Sequence, residues 1–264
     1  MAQAFDYIVI GGGCIGTSIA YHLAKRKPGS IALLEREKFL GTQSTAKAAG
    51  GVRAQFSTEV NVRLSLLSLD CFEKFEQETG HTLQLFQWGY LFLLASEEQA
   101  NAFKRYRETW TRLGMKTDWL APSEIKARFP YVNTDGIVAG SFHQRDGFVD
   151  ANDIVQGYAQ GARKRGVTEI TECEVSGFEM SSSNRSVIGL QTNMGNFKVN
   201  KGIVLATGAW SRRLAHMLRV EVPIDPYRRQ ILVTKPFDGI KTPFPMTVDM
   251  GSGLYFHPES GGVL

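Results

Sequence analysis

Three glycines at Gly11, Gly13 and Gly16, an acid at Glu35 and an arginine at Arg53 are the residues best placed by type and spacing to do chemistry. The glycines form GxGxxG between the apolar run Tyr7 to Ile10 and a stretch where Ile15, Ile19 and Leu23 recur at helical spacing. In a strand, turn and helix of this kind the first glycine permits the tight turn and the second lets backbone approach a pyrophosphate. The third lets the helix pack closely on the strand. The helix start then offers N–H groups and partial positive charge to phosphates. Glu35 lies 19 positions after Gly16, at the end of a second apolar run, Ile31 to Leu34. That is close to the spacing of about 20 at which a carboxylate accepts hydrogen bonds from ribose hydroxyls. The chemistry indicated is the binding of a dinucleotide.

The elements that must position these residues follow from periodicity. Val60, Leu64, Leu67, Cys71 and Phe75 predict one buried face of a long helix over 57–79, ended by Gly80. Tyr90 to Leu94 reads as a strand, and Ser96 with Gln99 as a capping box opening a helix that carries Phe103, Trp110 and Leu113. A further helix begins after Asp150, with Ile154, Tyr158 and Ala162 on one face. Alternating segments between Ile170 and Val199, broken by the polar loop 181–185, predict an antiparallel meander. "KGIVLATGAW" reads as a strand buried on both faces, and the prolines and aromatics after Pro223 as another antiparallel segment. The fold class expected is α/β, α+β overall: a Rossmann-like nucleotide-binding domain (1–81 and 146–222) interrupted by a second, antiparallel-sheet domain (82–145 and 223–264).

Composition narrows the function classes. The chain has 264 residues, 43% of them hydrophobic, and a net charge of +4 with acids and bases interspersed, so a full core is expected and nucleic-acid binding is not. Cys14, Cys71 and Cys173 are odd in number and far apart, which argues against a disulfide framework and a metal site and suits a reducing cytoplasm. No basic, apolar leader and no membrane-length apolar stretch is present, so a protein without a membrane span is expected.

NAD and FAD both present an ADP half to such a turn. After Glu35 the chain runs into "EREKFLGTQSTAKAAGGVRAQF", rich in small residues and hydroxyls. Such a passage lies closely along an extended cofactor and favours a flavin buried along its length over a nicotinamide that must enter and leave.

The set "IVIGGGCIGTSIAYHLA", "STAKAAGGVRAQFS", "GYLFLL", "DGFVDANDIV", "GIVLATGAWS" and "PYRRQ" resembles the D-amino-acid-oxidase-type FAD-dependent oxidoreductases. Within them it resembles the branch of the sarcosine oxidase β subunit and related proline, glycine and dimethylglycine dehydrogenases. The resemblance implies that Gly11, Gly13 and Gly16 hold the FAD pyrophosphate, Glu35 the ribose, and Ser44 and Thr45 the stretch toward the flavin. It places Arg36 and the backbone of Val175 by the adenine, and Thr207 and Gly208 in a turn returning to the cofactor. Lys47 stands where several relatives carry a histidine that tethers FAD, so non-covalent FAD is expected. None of the five histidines matches the site of a second flavin.

The activity implied is oxidation of the C–N bond of a small amine or amino acid, such as sarcosine, proline or glycine, to an imine, with electrons passed to oxygen or a carrier. A substrate carboxylate needs a cation, and a guanidinium can grip it through two parallel hydrogen bonds. Arg53 is the candidate; Arg228 and Arg229 are weaker ones, since strand alternation aims only one inward. Tyr255 in "GLYFHP" is expected as a pocket wall with His257 behind it, whereas His22 and His216 read as helix-surface and His81 and His143 as loop residues. The family normally continues for about another hundred residues, within the usual range of a domain. The chain therefore reads as a fragment or a short form, leaving a sheet edge that partner subunits or a second copy would cover. Two alternatives remain, a non-catalytic flavin-binding partner protein of the same fold and a nicotinamide-dependent dehydrogenase.

Overall fold

A computed structural model describes residues 3–183 and 185–264; Met1, Ala2 and Asn184, the last within the expected polar loop, lie outside the described residues. The chain starts with β1 (Gln3–Ile10), α1 (Cys14–Lys25), β2 (Ile31–Leu34), β3 (Gly51–Val52) and α2 (Glu59–Glu73). There follow α3 (Phe75–Thr79), β4 (Leu85–Phe86), β5 (Tyr90–Leu94), α4 (Glu97–Arg112), β6 (Asp118–Leu120), α5 (Pro122–Arg128), β7 (Ala139–His143) and β8 (Gly147–Val149). The remainder holds α6 (Ala151–Arg163), β9 (Thr168–Ile170), β10 (Val175–Met180), β11 (Val187–Thr192), β12 (Gly195–Leu205) and α7 (Ser211–Met217). Last come β13 (Met246–Asp249), β14 (Tyr255–Phe256), β15 (Pro258–Glu259) and β16 (Gly262–Val263).

These elements form two compact units. The first, residues 1–48, 75–83 and 150–228, carries a six-stranded sheet ordered β10-β11-β12-β1-β2-β9. Its centre is parallel: β1 pairs with β12 on one side and β2 on the other, and β2 pairs with β9. The edge β10-β11-β12 is the expected antiparallel meander. Ile8, Ala32, Leu34 and Leu190 are completely or almost completely buried in this unit's core, each large side chain contributing about 1.5–3 kcal/mol by leaving water. Asp150 caps α6 by accepting from the Asn152 N–H at 2.7 Å, and Ile154, Tyr158 and Ala162 are buried as the periodicity predicts. Gly161 lets α1 and α6 approach, because a Cβ there would lie 2.7 Å from the Tyr21 ring.

The second unit, residues 49–74, 84–149 and 229–264, holds a five-stranded sheet ordered β14-β13-β5-β7-β6 and a three-stranded one ordered β3-β8-β4. β5 is buried at every position and helix α4 covers it, with Ala100, Phe103 and Trp110 in one cluster with Tyr90, Phe92 and Leu94. Ser96 caps α4 by accepting from the Gln99 N–H at 3.2 Å. Gln99 answers the Ala95 N–H at 2.8 Å, one residue ahead of the cap, so the expected box is displaced by one position.

Several expectations need correction. The long helix breaks at Lys74 into α2 and α3. Its expected buried face is turned outward, with Val60, Leu64 and Leu67 57–62% exposed and Val62 and Leu69 buried instead. Cys71 is half-buried, and Phe75 is buried as expected. Residues 49–74 and 146–149, expected with the nucleotide turn, lie in the second unit, and 82–83 and 223–228 in the first. "KGIVL" is the end of the eleven-residue β12, with Lys201 exposed and the four residues after it half-buried rather than buried on both faces. Residues 220–245 form no regular element and β13 joins β5 in parallel through the Met246 and Tyr90 register, while the antiparallel pairing expected after Pro223 is found, among the described residues, only between β13 and β14 and between β15 and β16. His143 ends a strand and is buried.

Candidate functional site

In the first unit β1 ends at Ile10 and the chain turns at once. Gly11 donates its N–H to the Leu34 carbonyl at 2.8 Å and holds φ +110, a conformation that favours glycine. A side chain there would also collide with the Ala206 carbonyl, and one at Gly16 with the Gly11 carbonyl. Gly16 therefore acts as a packing residue between α1 and the turn. The cap of α1 is Gly13, which has no side chain to offer, and the first turn of the helix contains no acid. The Thr45 hydroxyl supplies the missing acceptor, taking the Cys14 N–H at 3.2 Å. The small-residue passage is thereby pinned across the helix start.

Glu35 clamps the same turn. One carboxylate oxygen accepts from the Gly12 N–H at 2.6 Å and the other from the Glu37 N–H at 2.9 Å. Each oxygen has a second lone pair, so the group can still accept from ligand hydroxyls. A cavity of about 440 Å³ opens here, lined by Gly11, Gly13, Glu35, Arg36, Ser44, Thr45, Val175, Thr207 and Gly208 among others. Its size falls in the range of small-molecule and cofactor sites. Thus nine of the eleven residues read as cofactor-binding share one cavity. Gly16 and Lys47 do not line it; Lys47 is exposed and donates to the Gln43 side chain at 3.2 Å.

The cavity also takes in residues that sequence reasoning passed over. The Arg36 guanidinium lies 4.1 Å from the centre of the Trp210 ring and donates to Glu37 at 3.1 Å, which fixes it at the cavity wall. Trp210 stands in the quoted "ATGAW", so an aromatic three residues after Thr207 was the available signal. Cys14, Gln43 and Arg213 also line the cavity, with no spacing that marks them.

The other three candidates, Arg53, Tyr255 and His257, lie in the second unit. The Arg53 guanidinium carbon sits 4.6 Å from the Phe56 ring centre, 5.6 Å from Tyr90 and 5.5 Å from Phe92. Its Nη1 donates to the Tyr90 hydroxyl at 3.4 Å, and its buried Nε has no partner. Among the described residues no carboxylate pairs with it, so a half-buried cation is held in an aromatic cage with its Nε donor unused. Burial pushes the Tyr90 hydroxyl above its ordinary pKa and Arg53 pulls it back, while Asp146 and Tyr255 add upward pressure. Tyr255 is 39% exposed on β14. His257 is 1% exposed and stacks on Phe148 with ring centres 4.4 Å apart. Its Nδ1 must carry the proton, since it faces the Pro258 carbonyl at 2.7 Å, and Nε2 is left buried without a partner. Arg228 and Arg229 are exposed.

Beneath Arg53 lies a network that the sequence did not signal. Asp146, fully buried, accepts from the Ala54 N–H at 2.9 Å, from His143 Nδ1 at 2.7 Å and from Gln55 Nε2 at 3.3 Å. Ser141 donates to Gln55 Oε1 at 2.6 Å. Serine, histidine and aspartate thus gather here, but the hydroxyl faces an amide and not the imidazole, so no nucleophilic triad exists. Among the described residues no cluster could hold a metal ion, and no helix is long and apolar enough to cross a membrane.

The chain belongs to the family described as FAD dependent oxidoreductase (DAO), whose profile matches residues 6–264. It is 30% identical to the mitochondrial dimethylglycine dehydrogenase of Rattus norvegicus over 98% of its own length and 30% of that protein's. It is 28% identical to the sarcosine oxidase subunit beta of Rhizobium meliloti (strain 1021), over 98% of this chain and 62% of the relative. Among solved structures, the L-proline dehydrogenase from P. horikoshii superposes with a TM-score of 0.90 at 32% identity, covering 100% of this chain and 69% of that one. The chain therefore spans less than a third of the dimethylglycine dehydrogenase it matches.

Proposed function

We propose that the chain binds FAD non-covalently in its first unit and serves the oxidation of a small amine or amino acid, with the second unit providing the substrate's anchor. The observation that carries this reading is the cavity: a glycine turn, a helix start whose own cap is a glycine, the Glu35 carboxylate and the Thr45 strap share one pocket of cofactor size. These residues suit FAD. The positive end of α1 favours a pyrophosphate, Glu35 has lone pairs for ribose hydroxyls, and Arg36 on Trp210 gives a flat wall for a planar ring. Lys47, turned to Gln43, offers no imidazole for a covalent link. FAD, when bound, supplies the two-electron oxidation of the C–N bond. The protein's own contribution is to hold the substrate, and Arg53 is equipped for it: its guanidinium, with no carboxylate partner among the described residues, would take one from the substrate, and Phe56, Tyr90 and Phe92 would exclude water from the pair.

The relatives' names support a substrate among sarcosine, dimethylglycine and proline, and the word subunit in one of them supports a partner chain. The test is direct. Purified protein should be yellow and release free FAD on denaturation, and one of these amines should bleach it anaerobically. Yellow protein that no amine reduces would favour the non-catalytic flavin-binding alternative, and colourless protein would overturn the reading.

A further inference from the structure

We propose that Asp146 is a positioning residue that sets the Arg53 guanidinium for anion binding, acting through the Ala54 peptide and the Gln55 side chain. The inference rests on the reading of Arg53 given above and extends it to the residues that hold the arginine in place.

Two hydrogen-bonding devices from one short segment fix the backbone around Arg53. On its N-terminal side, β3 pairs with β8 through Gly51 with Phe148 and Val52 with Gly147. On its C-terminal side the ladder has ended, and the Asp146 carboxylate takes the Ala54 N–H at 2.9 Å. That N–H belongs to the peptide joining Arg53 to Ala54, so the carboxylate sets the plane of the peptide leaving the arginine. Residues 146–148 thus grip 51–54 on both sides of Arg53.

The grip is itself braced. Asp146 is fully buried, and a buried carboxylate must satisfy its lone pairs. Besides Ala54 it accepts from His143 Nδ1 at 2.7 Å and Gln55 Nε2 at 3.3 Å. Gln55 also donates to the Tyr90 carbonyl at 3.1 Å and accepts from Ser141 at 2.6 Å. Tyr90, whose hydroxyl meets Arg53 Nη1, is therefore tied at its backbone to the same glutamine. The three donors that Asp146 accepts from are a peptide N–H, an imidazole and an amide, and none is Arg53, so it directs the arginine without pairing with it, and the Arg53 Nε keeps a donor with no partner.

The test uses the flavin-loaded chain and propionate, a carboxylate with no amine to oxidise, with binding followed by calorimetry. Asp146→Asn keeps the shape but offers one acceptor oxygen in place of two, so one of the three donors loses its partner. The dissociation constant for propionate should rise about tenfold with flavin content unchanged. In an Arg53→Ala background the same substitution should add nothing, since residues acting through one another are not additive. Ser141→Ala, which only frees Gln55, should fold readily and give a smaller rise, about threefold. If Arg53→Ala weakens propionate binding while Asp146→Asn and Ser141→Ala lower the melting temperature alone, the positioning role is overturned and the reading of Arg53 stands. If Arg53→Ala itself leaves propionate binding unchanged, both fall.

Discussion

In the first unit the surface proposed for a ligand is built around backbone: a glycine turn, the start of a helix and a strap of small residues. In the second unit it is side chain: one arginine in three aromatic rings above a buried polar network. The two respond differently to change. A backbone site is lost when any side chain intrudes on it, whereas a side-chain site is lost when one particular group is removed. The first suits a ligand that stays, because it demands close approach over a long path. The second suits a small ligand recognised by charge.

The strongest way to break this comparison is Gly16→Ala. The added Cβ has nowhere to go but into the Gly11 carbonyl, so α1 must shift off the turn at a cost of about 3 kcal/mol or more. The expected result is protein that has lost its flavin absorbance after gel filtration; retention of full colour would show that the turn is not the binding surface. Next comes Arg53→Ala, which should leave flavin content alone and raise the Michaelis constant for an amino-acid substrate by about thirtyfold or more, some 2–3 kcal/mol. Steady-state kinetics beside a flavin assay would check it. Loss of flavin from Arg53→Ala would remove the distinction between the units.

The same contrast explains what could be read from the sequence. The glycine turn, Glu35, the end of β1 at Ile10, the bounds of β2 and the start of α6 were legible because each depends on residues near one another in the chain. The Thr45 cap on Cys14 spans 31 positions, and the bond from Asp146 to Ala54 spans 92. Neither has a local period or motif. His143 looked like a loop residue because its partner lies three positions on but only burial makes the pair matter. The helix over 57–79 was misread at its face for a related reason. Periodicity identifies a stripe, but α2 carries apolar residues on more than one side, and tertiary packing chose Val62 and Leu69.

Alkaline pH gives a sharper measure of the second unit. Burial raises Tyr131 from 10.0 to about 12, against a smaller downward pull from its hydrogen bond with Thr247. Below pH 10 the phenol is protonated in both folded and unfolded chains. Between 10 and 12 only the unfolded chain gives up its proton, so stability falls by up to about 3 kcal/mol across that window. Tyr131→Phe should cost about 1 kcal/mol at neutral pH through the lost hydrogen bond and flatten the decline. Tyr90, raised in the same direction, keeps some slope in the variant. Denaturant melts at neutral pH and above pH 10 would check both, and an unchanged slope would mean that the ring is solvated.

The smallest expected effect tests whether α2 follows the structure or the sequence pattern. Leu67 is 61% exposed and Leu69 is fully buried in the cluster that contains Tyr90 and Phe92. Leu69→Ala should therefore cost about 2–4 kcal/mol, transfer and cavity terms together, and should disturb the Arg53 cage, whose rings belong to that cluster. Leu67→Ser should change stability by no more than about 0.5 kcal/mol, as surface substitutions do. A cost for Leu67→Ser equal to that of Leu69→Ala, measured by denaturant unfolding, would mean that the stripe of Val60, Leu64 and Leu67 is buried in the working protein. A covered stripe would make α2 part of an interface, and the concentration dependence of the melt would then separate association with a second copy from packing within one chain.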